Sequence, residues 1–189
     1  MHEKNFRKFI ERFTNIDNKS FKDILIHFQL TTFKKGEFFA KESTYNNRLG
    51  FLSQGIARSY YFNSDGDEIT RRIATEPSMI TVYDSFINEI PARESIEFIE
   101  DSHVYVITRE KDLELIEKNR VYSNWRRIGI DHEFISVLRY LESFIDANAK
   151  DRYNMILKMN PKIIQRVPLQ YIASMIGVTP TQLSRIRKS

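Results

Sequence analysis

The sequence predicts an α+β protein, in which an N-terminal jelly-roll β-barrel is followed by a long helix and a C-terminal helix-turn-helix. Between Leu30 and Val106, short apolar runs alternate with turn signals such as Asn63-Ser64-Asp65-Gly66-Asp67. Many short strands at close spacing are typical of a sandwich or barrel. From Val121 to Ala149, apolar residues recur at helical spacing. Between Leu169 and Arg187, two short amphipathic segments flank Gly177, where a residue with positive φ is expected to end a helix.

Residues 2–29 are predicted to form two helices that cover part of the β domain. The first carries one apolar stripe, formed by Phe6, Phe9, Ile10 and Phe13. Asn18 or Ser20 is expected to cap the second helix.

The β domain is predicted to contain short strands followed by a short helix over residues 109–117. The strands are expected at residues 38–39, 49–52, 56–62, 69–73, 79–83, 95–99 and 104–108. Folds of this type commonly hold a small ligand in the mouth or the interior. The sequence leaves open whether the protein's own side chains, such as Phe38, Phe39 and Tyr83, fill that space.

The long helix carries two apolar stripes. One repeats with coiled-coil spacing and comprises Ile130, Phe134, Val137, Leu141 and Phe144. The other comprises Trp125, Ile128, Ile135, Leu138 and Ile145. A helix with two apolar stripes must bury both, so one is expected to pack on its own β domain and the other, the coiled-coil stripe, on the same helix of a second copy. The alternative is a single wide stripe inside a monomer.

The C-terminal region is predicted to read DNA. A helix over residues 150–160 and a connector over residues 163–167 precede the first helix of the motif, which begins at Pro168. Thr179 is expected to cap the second helix, with Pro180 at its first position and Gln182 three residues after the cap. The predicted DNA-binding residues are Thr179, Thr181, Gln182, Ser184, Arg185 and Lys188, with Arg185 suited to a guanine. The alternative is a plain helical hairpin with a solvated polar face.

The charge distribution favours a polyanionic partner for this region. The whole chain of 189 residues carries a formal charge of +4. Residues 147–189 contain eight Lys or Arg and one Asp, a charge of +7, which leaves −3 for residues 1–146. A basic tail on an acidic body is typical of proteins that bind nucleic acid.

Composition excludes several classes of function. The chain has no cysteine, so thiolate redox sensing and cysteine-bound metal centres are excluded. The four histidines, at positions 2, 27, 103 and 132, lack metal-ligand spacing, and neither a catalytic triad nor a nucleotide-binding loop is present. No enzyme activity, catalytic residue, metal or cofactor is expected. Without a signal-peptide core or a membrane-length apolar run, a cytoplasmic protein with no membrane partner is expected.

The residues resemble the Crp/Fnr family of bacterial transcription regulators. The matching features are the turn Leu52-Ser53-Gln54-Gly55-Ile56, the Asp65-Gly66 hairpin and the tail. Within the tail, the stretches similar to the Bacteroidetes-type branch are Asp151-Arg152-Tyr153, Arg166-Val167-Pro168 and Leu183-Ser184-Arg185-Ile186-Arg187. The resemblance implies a homodimeric regulator that binds double-stranded DNA and has a cyclic-nucleotide-binding-like sensor domain. The implied domains are 1–119 (β-roll sensor with N-terminal helices), 120–148 (dimerisation helix) and 149–189 (helix-turn-helix).

The chain departs from the family where cyclic AMP is bound. The resemblance places Thr81 and Val82 where family members use a Gly-Glu pair to hold the ribose, and it places Arg93 at the phosphate arginine, beside the opposing carboxylate of Glu94. The implied effector pocket is Val82, Tyr83, Arg93 and Ser95. We predict that cyclic AMP is not bound in the family manner, and the effector, if there is one, is unknown. The alternative role for Arg93 is a surface ion pair with Glu94 or Glu97.

Two further expectations concern the tail. Only Ser189 and two other residues follow Ile186, so the β wing that many family members carry after the recognition helix is expected to be missing. The alternative function is a small-ligand sensor module whose basic tail docks a protein partner.

Overall fold

The computed structural model describes residues 1–161 and 163–188, and for residues 143, 144, 146 and 159 it describes the backbone alone. The described chain contains nine helices and eight strands. The helices are α1 (His2–Glu11), α2 (Asn18–Leu25), α3 (Tyr83–Asn88), α4 (Arg109–Lys118), α5 (Arg120–Asp146), α6 (Ala149–Met159), α7 (Ile163–Arg166), α8 (Leu169–Met175) and α9 (Pro180–Ile186). The strands are β1 (Gln29–Phe33), β2 (Phe38–Ala40), β3 (Arg48–Gln54), β4 (Ile56–Phe62), β5 (Glu68–Thr75), β6 (Ser78–Ile80), β7 (Ser95–Phe98) and β8 (Ser102–Thr108).

The strands form two four-stranded sheets and not the closed barrel that the sequence predicted. Their orders are β1-β8-β3-β6 and β2-β7-β4-β5. No ladder joins the two sheets in the described part of the chain. Aromatic side chains fill the space between the sheets, where the rings of Phe33 and Phe98 stack with centroids 4.5 Å apart and Phe39 is fully buried. The sheets are therefore held together by side-chain packing, as in a jelly-roll sandwich.

The N-terminal helices pack on the outer face of the first sheet, as predicted. Phe6 of α1 stacks on Phe51 at 4.6 Å and on Tyr105 at 5.4 Å. Trp125 of α5 joins the same buried cluster. The cap of α2 is Asp17 and not Asn18 or Ser20, because the Asp17 carboxylate accepts a hydrogen bond from the backbone N–H of Ser20.

Two other predictions of local structure are wrong. Residues 79–83 were predicted to be one strand, but β6 ends at Ile80 and α3 begins at Tyr83. Val82 and Phe86 are both buried and lie four residues apart, which is a helical spacing. The short apolar run at residues 79–83 instead suggested a strand. The predicted connector over residues 163–167 contains the short helix α7.

The chain divides into two compact units. The first comprises Met1–Ser59 and Ile73–His132, and contains the two hydrophobic clusters described above. The second comprises Tyr60–Arg72 and the described residues from Glu133 onward. Its buried apolar residues include Tyr153, Ile156, Ile163, Val167, Ile172, Ala173, Ile176 and Leu183. The second unit therefore has its own small core, built mainly from α6 to α9.

Candidate functional site

The second unit ends in two short helices, α8 and α9, that turn about Gly177. Gly177 has φ +72°, the left-handed conformation that the sequence predicted, and the N–H of Val178 donates to the carbonyl oxygen of Ala173 at 3.0 Å. Ala173 and Leu183 are fully buried where the helices pack together. The local turn geometry therefore follows the sequence expectation closely.

The start of α9 is closed by a complete capping box. The Thr179 hydroxyl accepts from the N–H of Gln182 at 3.2 Å, and the Gln182 side-chain oxygen accepts from the N–H of Thr179 at 2.8 Å. Pro180 occupies the first helical position, where no N–H is required. Two of the six predicted DNA-binding side chains are thus engaged in holding the helix end, which fixes their orientation.

All six predicted DNA-binding residues lie on the exposed surface. Thr181, Ser184 and Arg185 project from α9, whereas Lys188 follows the end of the helix at Ile186. Neither Arg185 nor Lys188 makes an ion pair with any residue that the structure describes. Unpaired cations next to short hydroxyl side chains are suited chemically to phosphates and to the edges of bases.

Two contacts within the second unit hold α8 in place, and sequence reasoning identified neither of them. The Ser174 hydroxyl accepts from the N–H of Thr70 at 2.9 Å and donates to the carbonyl oxygen of Glu68 at 3.1 Å. The Arg152 Nε donates to the carbonyl oxygen of Ile176 at 3.1 Å. A separation of more than one hundred residues between Ser174 and the β4–β5 hairpin leaves no local signal for the first contact.

From Ile130 onward, α5 presents an exposed apolar face. Four residues of the predicted dimer stripe are 38%, 63%, 47% and 52% exposed, namely Ile130, Phe134, Val137 and Leu141. The side chain of Phe144, the fifth residue of that stripe, lies outside the described residues.

The second apolar stripe of α5 behaves differently from the prediction. Trp125 is buried, but Ile135, Leu138 and Ile145 are exposed. The expectation that this whole stripe packs on the protein's own β domain is therefore wrong beyond the start of the helix. The start is fixed instead by a buried ion pair, in which Arg126 donates to both carboxylate oxygens of Asp112 at 3.0 and 3.2 Å.

The predicted effector residues surround α3 but do not converge. Val82 is buried among apolar side chains, whereas Tyr83 is exposed. The Ser95 hydroxyl accepts from the N–H of Glu42 at 3.0 Å. Arg93 is 80% exposed and forms an ion pair with Asp84, at 3.9 Å, and not the predicted pair with Glu94 or Glu97. Glu97 pairs with Arg58 of β4 instead.

Comparison with known proteins finds one family model that is similar to the β domain. Residues 30–119 match the family model of the cyclic nucleotide-binding domain. This match covers the strands β1 to β8 together with α3 and α4. No curated protein matches the sequence of the chain. The match agrees with the cyclic-nucleotide-binding-like, jelly-roll-type fold that the resemblance implied, although the strands form two sheets and not a closed barrel.

Solved structures extend the likeness in fold over most of the chain. The regulator CLP of Xanthomonas campestris, described as responsive to c-di-GMP, superposes with a TM-score of 0.70 at 13% identity, over 91% of this chain and 90% of that protein. FixK2 of Bradyrhizobium japonicum gives 0.71 at 16% identity, over 85% and 83%. A Crp/Fnr-family regulator of Eubacterium rectale gives 0.64 at 18% identity, over 92% and 82%.

The structure also bears on membranes and metals. No helix within the described ranges combines the length and the apolar character needed to cross a bilayer. Among the same residues, His, Asp and Glu side chains form no group of three or more that could hold a metal ion.

Proposed function

We propose that the protein is a dimeric, sequence-specific DNA-binding regulator of the Crp/Fnr type. The observation that carries this proposal is the exposed, unpaired cationic surface of α9 and the residues that follow it, on a helix whose start is rigidly capped. The match of residues 30–119 and the shared fold support it. The tail stretches quoted above support a place in the Bacteroidetes-type branch.

The exposed face of α5 supports a homodimer. Four large apolar side chains at coiled-coil spacing are exposed in the single chain. If they packed against the same face of a second copy, they would be buried in a two-fold interface. A two-fold dimer presents two recognition helices to successive major grooves, about 34 Å apart. We therefore expect an operator with two-fold symmetry.

The residues around α3, where the family binds cyclic AMP, support a regulator that does not recognise cyclic AMP in the family manner. Thr81 and Val82 offer no carboxylate to a ribose, and the Thr81 hydroxyl already donates to the carbonyl oxygen of Arg48 at 2.9 Å. Arg93 points to the surface beside Asp84, whose carboxylate opposes an anion.

Selection of random DNA duplexes by the purified full-length protein, without added effector, tests the proposal. We expect recovery of a two-fold motif. A variant with Arg185→Ala and Lys188→Ala should recover none, whereas Lys22→Ala, which removes an exposed cation from α2, should recover the same motif as the wild type.

The proposal would be overturned if the protein bound DNA only weakly and in a salt-sensitive way, with no motif recovered. The same result would have to be obtained when the selection is repeated in cell extract. That result would favour the alternative, a ligand-binding module whose basic tail docks a protein.

A further inference from the structure

The side-chain amide of Gln182 has a defined orientation at the start of α9. Its Oε1 accepts one hydrogen bond from the backbone N–H of Thr179 at 2.8 Å and another from the Thr179 hydroxyl at 3.2 Å. A backbone N–H can only donate, so the amide atom that it contacts must be the oxygen and not the nitrogen. The capping box therefore determines which end of the amide faces the helix and which end faces outward.

The two bonds from Thr179 use the whole acceptor capacity of Gln182. An amide oxygen has two lone pairs, and each of them here accepts one hydrogen bond. At the other end of the amide, Nε2 makes no hydrogen bond with any residue that the structure describes, and Gln182 is exposed. Gln182 consequently presents N–H donors, and no free acceptor, to a molecule that approaches α9.

Arg185 extends this donor surface. It lies three positions after Gln182, and residues three apart are neighbours on the surface of a helix. Its guanidinium carries only donors, and Arg185 is exposed. The two neighbouring side chains thus offer hydrogen-bond donors alone.

A donor surface discriminates between bases in the major groove. Guanine presents two acceptors there, N7 and O6, whereas thymine presents one acceptor and cytosine presents an amino donor. Glutamine recognises adenine with both ends of its amide, the nitrogen bonding to N7 and the oxygen to the N6 amino group. Because the Gln182 oxygen is occupied by Thr179, the adenine pairing would require the capping box to open.

We propose that Gln182 is a specificity-determining residue that recognises guanine and not adenine. The inference rests on the proposed function, in which α9 enters the major groove. Gln182 Nε2 donates to O6 and N7 of a guanine next to the base pair that Arg185 contacts, and Thr179 is the positioning residue that keeps the nitrogen outward. Three residues of helix rise about 4.5 Å, close to the spacing of adjacent base pairs of about 3.4 Å.

Selection of random duplexes by the purified full-length protein and by its Gln182→Glu variant tests the inference. A glutamate at this position also closes a capping box, because its carboxylate accepts from the N–H of the cap residue. The outward nitrogen is then replaced by an oxygen, which accepts from the amino group of cytosine. We expect the wild-type motif to contain guanine at one position where Gln182→Glu selects cytosine, while the base at the Arg185 position stays the same.

A matched control separates this effect from that of the added negative charge. Gln165→Glu makes the same chemical change at an exposed glutamine of α7 and should recover the wild-type motif. A negative charge near DNA weakens binding to every sequence, so the readout is the selected base and not the overall affinity.

A modified operator gives a second readout. Replacing the guanine at the Gln182 position by 7-deazaguanine removes N7 and keeps O6. Fluorescence anisotropy should show about a three- to tenfold loss of affinity for the wild type, whereas Gln182→Ala, which has no amide, should bind the two duplexes equally. Circular dichroism establishes that each variant is folded, and the alanine comparison tests the inference if Gln182→Glu does not fold.

Failure of the inference and failure of the proposed function give different results. The inference alone is overturned if the position that changes in Gln182→Glu holds adenine in the wild-type motif. It is also overturned if the two proteins recover the same motif, which would assign Gln182 to the capping box or to a phosphate contact only. A wild-type protein that recovers no motif would overturn the proposed function, and the inference with it.

Discussion

The guanidinium of Arg152 in α6 donates a hydrogen bond of 3.1 Å to the carbonyl oxygen of Ile176, at the end of α8. A second bond, from Nη1 to the carbonyl oxygen of Ala147 at 2.8 Å, joins the same side chain to the backbone just before the Asn148 cap of α6. The last carbonyls of a helix lack partners within the helix, and a cation is favourable there. One side chain thereby fixes the turn from which α9 projects.

Replacing Arg152 is expected to destabilise the second unit. Arg152→Ala removes at least these two charge-assisted hydrogen bonds, so the free energy of unfolding should fall by at least about 1.5–3 kcal/mol. Urea unfolding followed by circular dichroism measures this loss, while fluorescence of the single tryptophan, Trp125, reports on the first unit. Lys150→Ala, at an exposed position in the same helix, should be nearly neutral. Equal stability of the two variants would contradict the assigned role.

Arg185→Ala is expected to relax sequence specificity. A side chain that reads a base contributes about 1–3 kcal/mol to discrimination against the wrong base. Fluorescence anisotropy with the selected operator and with single-base variants of it measures that discrimination. If the variant keeps the wild-type preference at every position, Arg185 does not read a base.

Lys188→Ala is expected to act differently, because a phosphate contact carries no sequence information. Its affinity should fall by a similar factor for every duplex, and the slope of log affinity against log salt should decrease by about 1. Anisotropy titrations at several salt concentrations provide the slope. A selective loss on one sequence would instead assign Lys188 to base readout.

Leu141→Glu is expected to convert the dimer into a monomer. The substitution places a charge within the exposed stripe on α5, where a partner helix would have to bury it. Sedimentation velocity measures the mass, and operator affinity should fall in parallel. Leu113→Glu on α4, at a leucine of similar exposure, is the matched control and should leave the mass unchanged. A wild-type protein that sediments as a monomer would count against the dimer.

The stability of the first unit is expected to fall at alkaline pH. Burial, reinforced by the charge of Asp112, raises the pKa of Tyr122 well above its ordinary value, and its hydroxyl donates a hydrogen bond to that carboxylate. The folded state therefore disfavours the phenolate. The resulting stability is complete below the unfolded tyrosine pKa of about 10 and is lost as the pH rises above it.

Tyr122→Phe should make this alkaline loss smaller. It should not abolish the loss, because burial also raises the pKa of Tyr105. Unfolding free energies at about pH 9 and about pH 11, compared with the exposed-site control Tyr61→Phe, measure the difference. If the unfolding free energies of the two variants depended on pH in the same way, the pKa of Tyr122 would not change on unfolding.

Local chemistry made much of the second unit predictable. The cap at Thr179, the proline after it and the positive φ of Gly177 each depend on residues within four positions, so sequence patterns identify them. The apolar stripe of α1 and the hairpin at Asn63–Asp67 also depend on residues close together in the sequence, so they could be predicted in the same way. The six DNA-binding assignments and the dimer stripe remain predictions, although the structure leaves all of their described side chains exposed.

Several features were not predictable because they depend on residues brought together only by folding. Arg126 forms an ion pair with Asp112, which lies fourteen positions earlier in α4. Ser174 forms a hydrogen bond with the β4–β5 hairpin, more than one hundred positions earlier. The helical state of α3 also depended on tertiary burial, because the local pattern at residues 79–83 suits a strand equally well.

The sequence by itself determined the apolar stripe of the first helix, the separation of an acidic body from a basic tail, and the capped helix that presents Arg185. Only the tertiary structure decided that the strands form two sheets, that Arg93 stands at the surface beside Asp84, and that Arg126 pairs with the buried Asp112. The physical reason is that capping and periodicity act over one or two turns of chain. The burial of a charge is set by whichever distant segments pack around it.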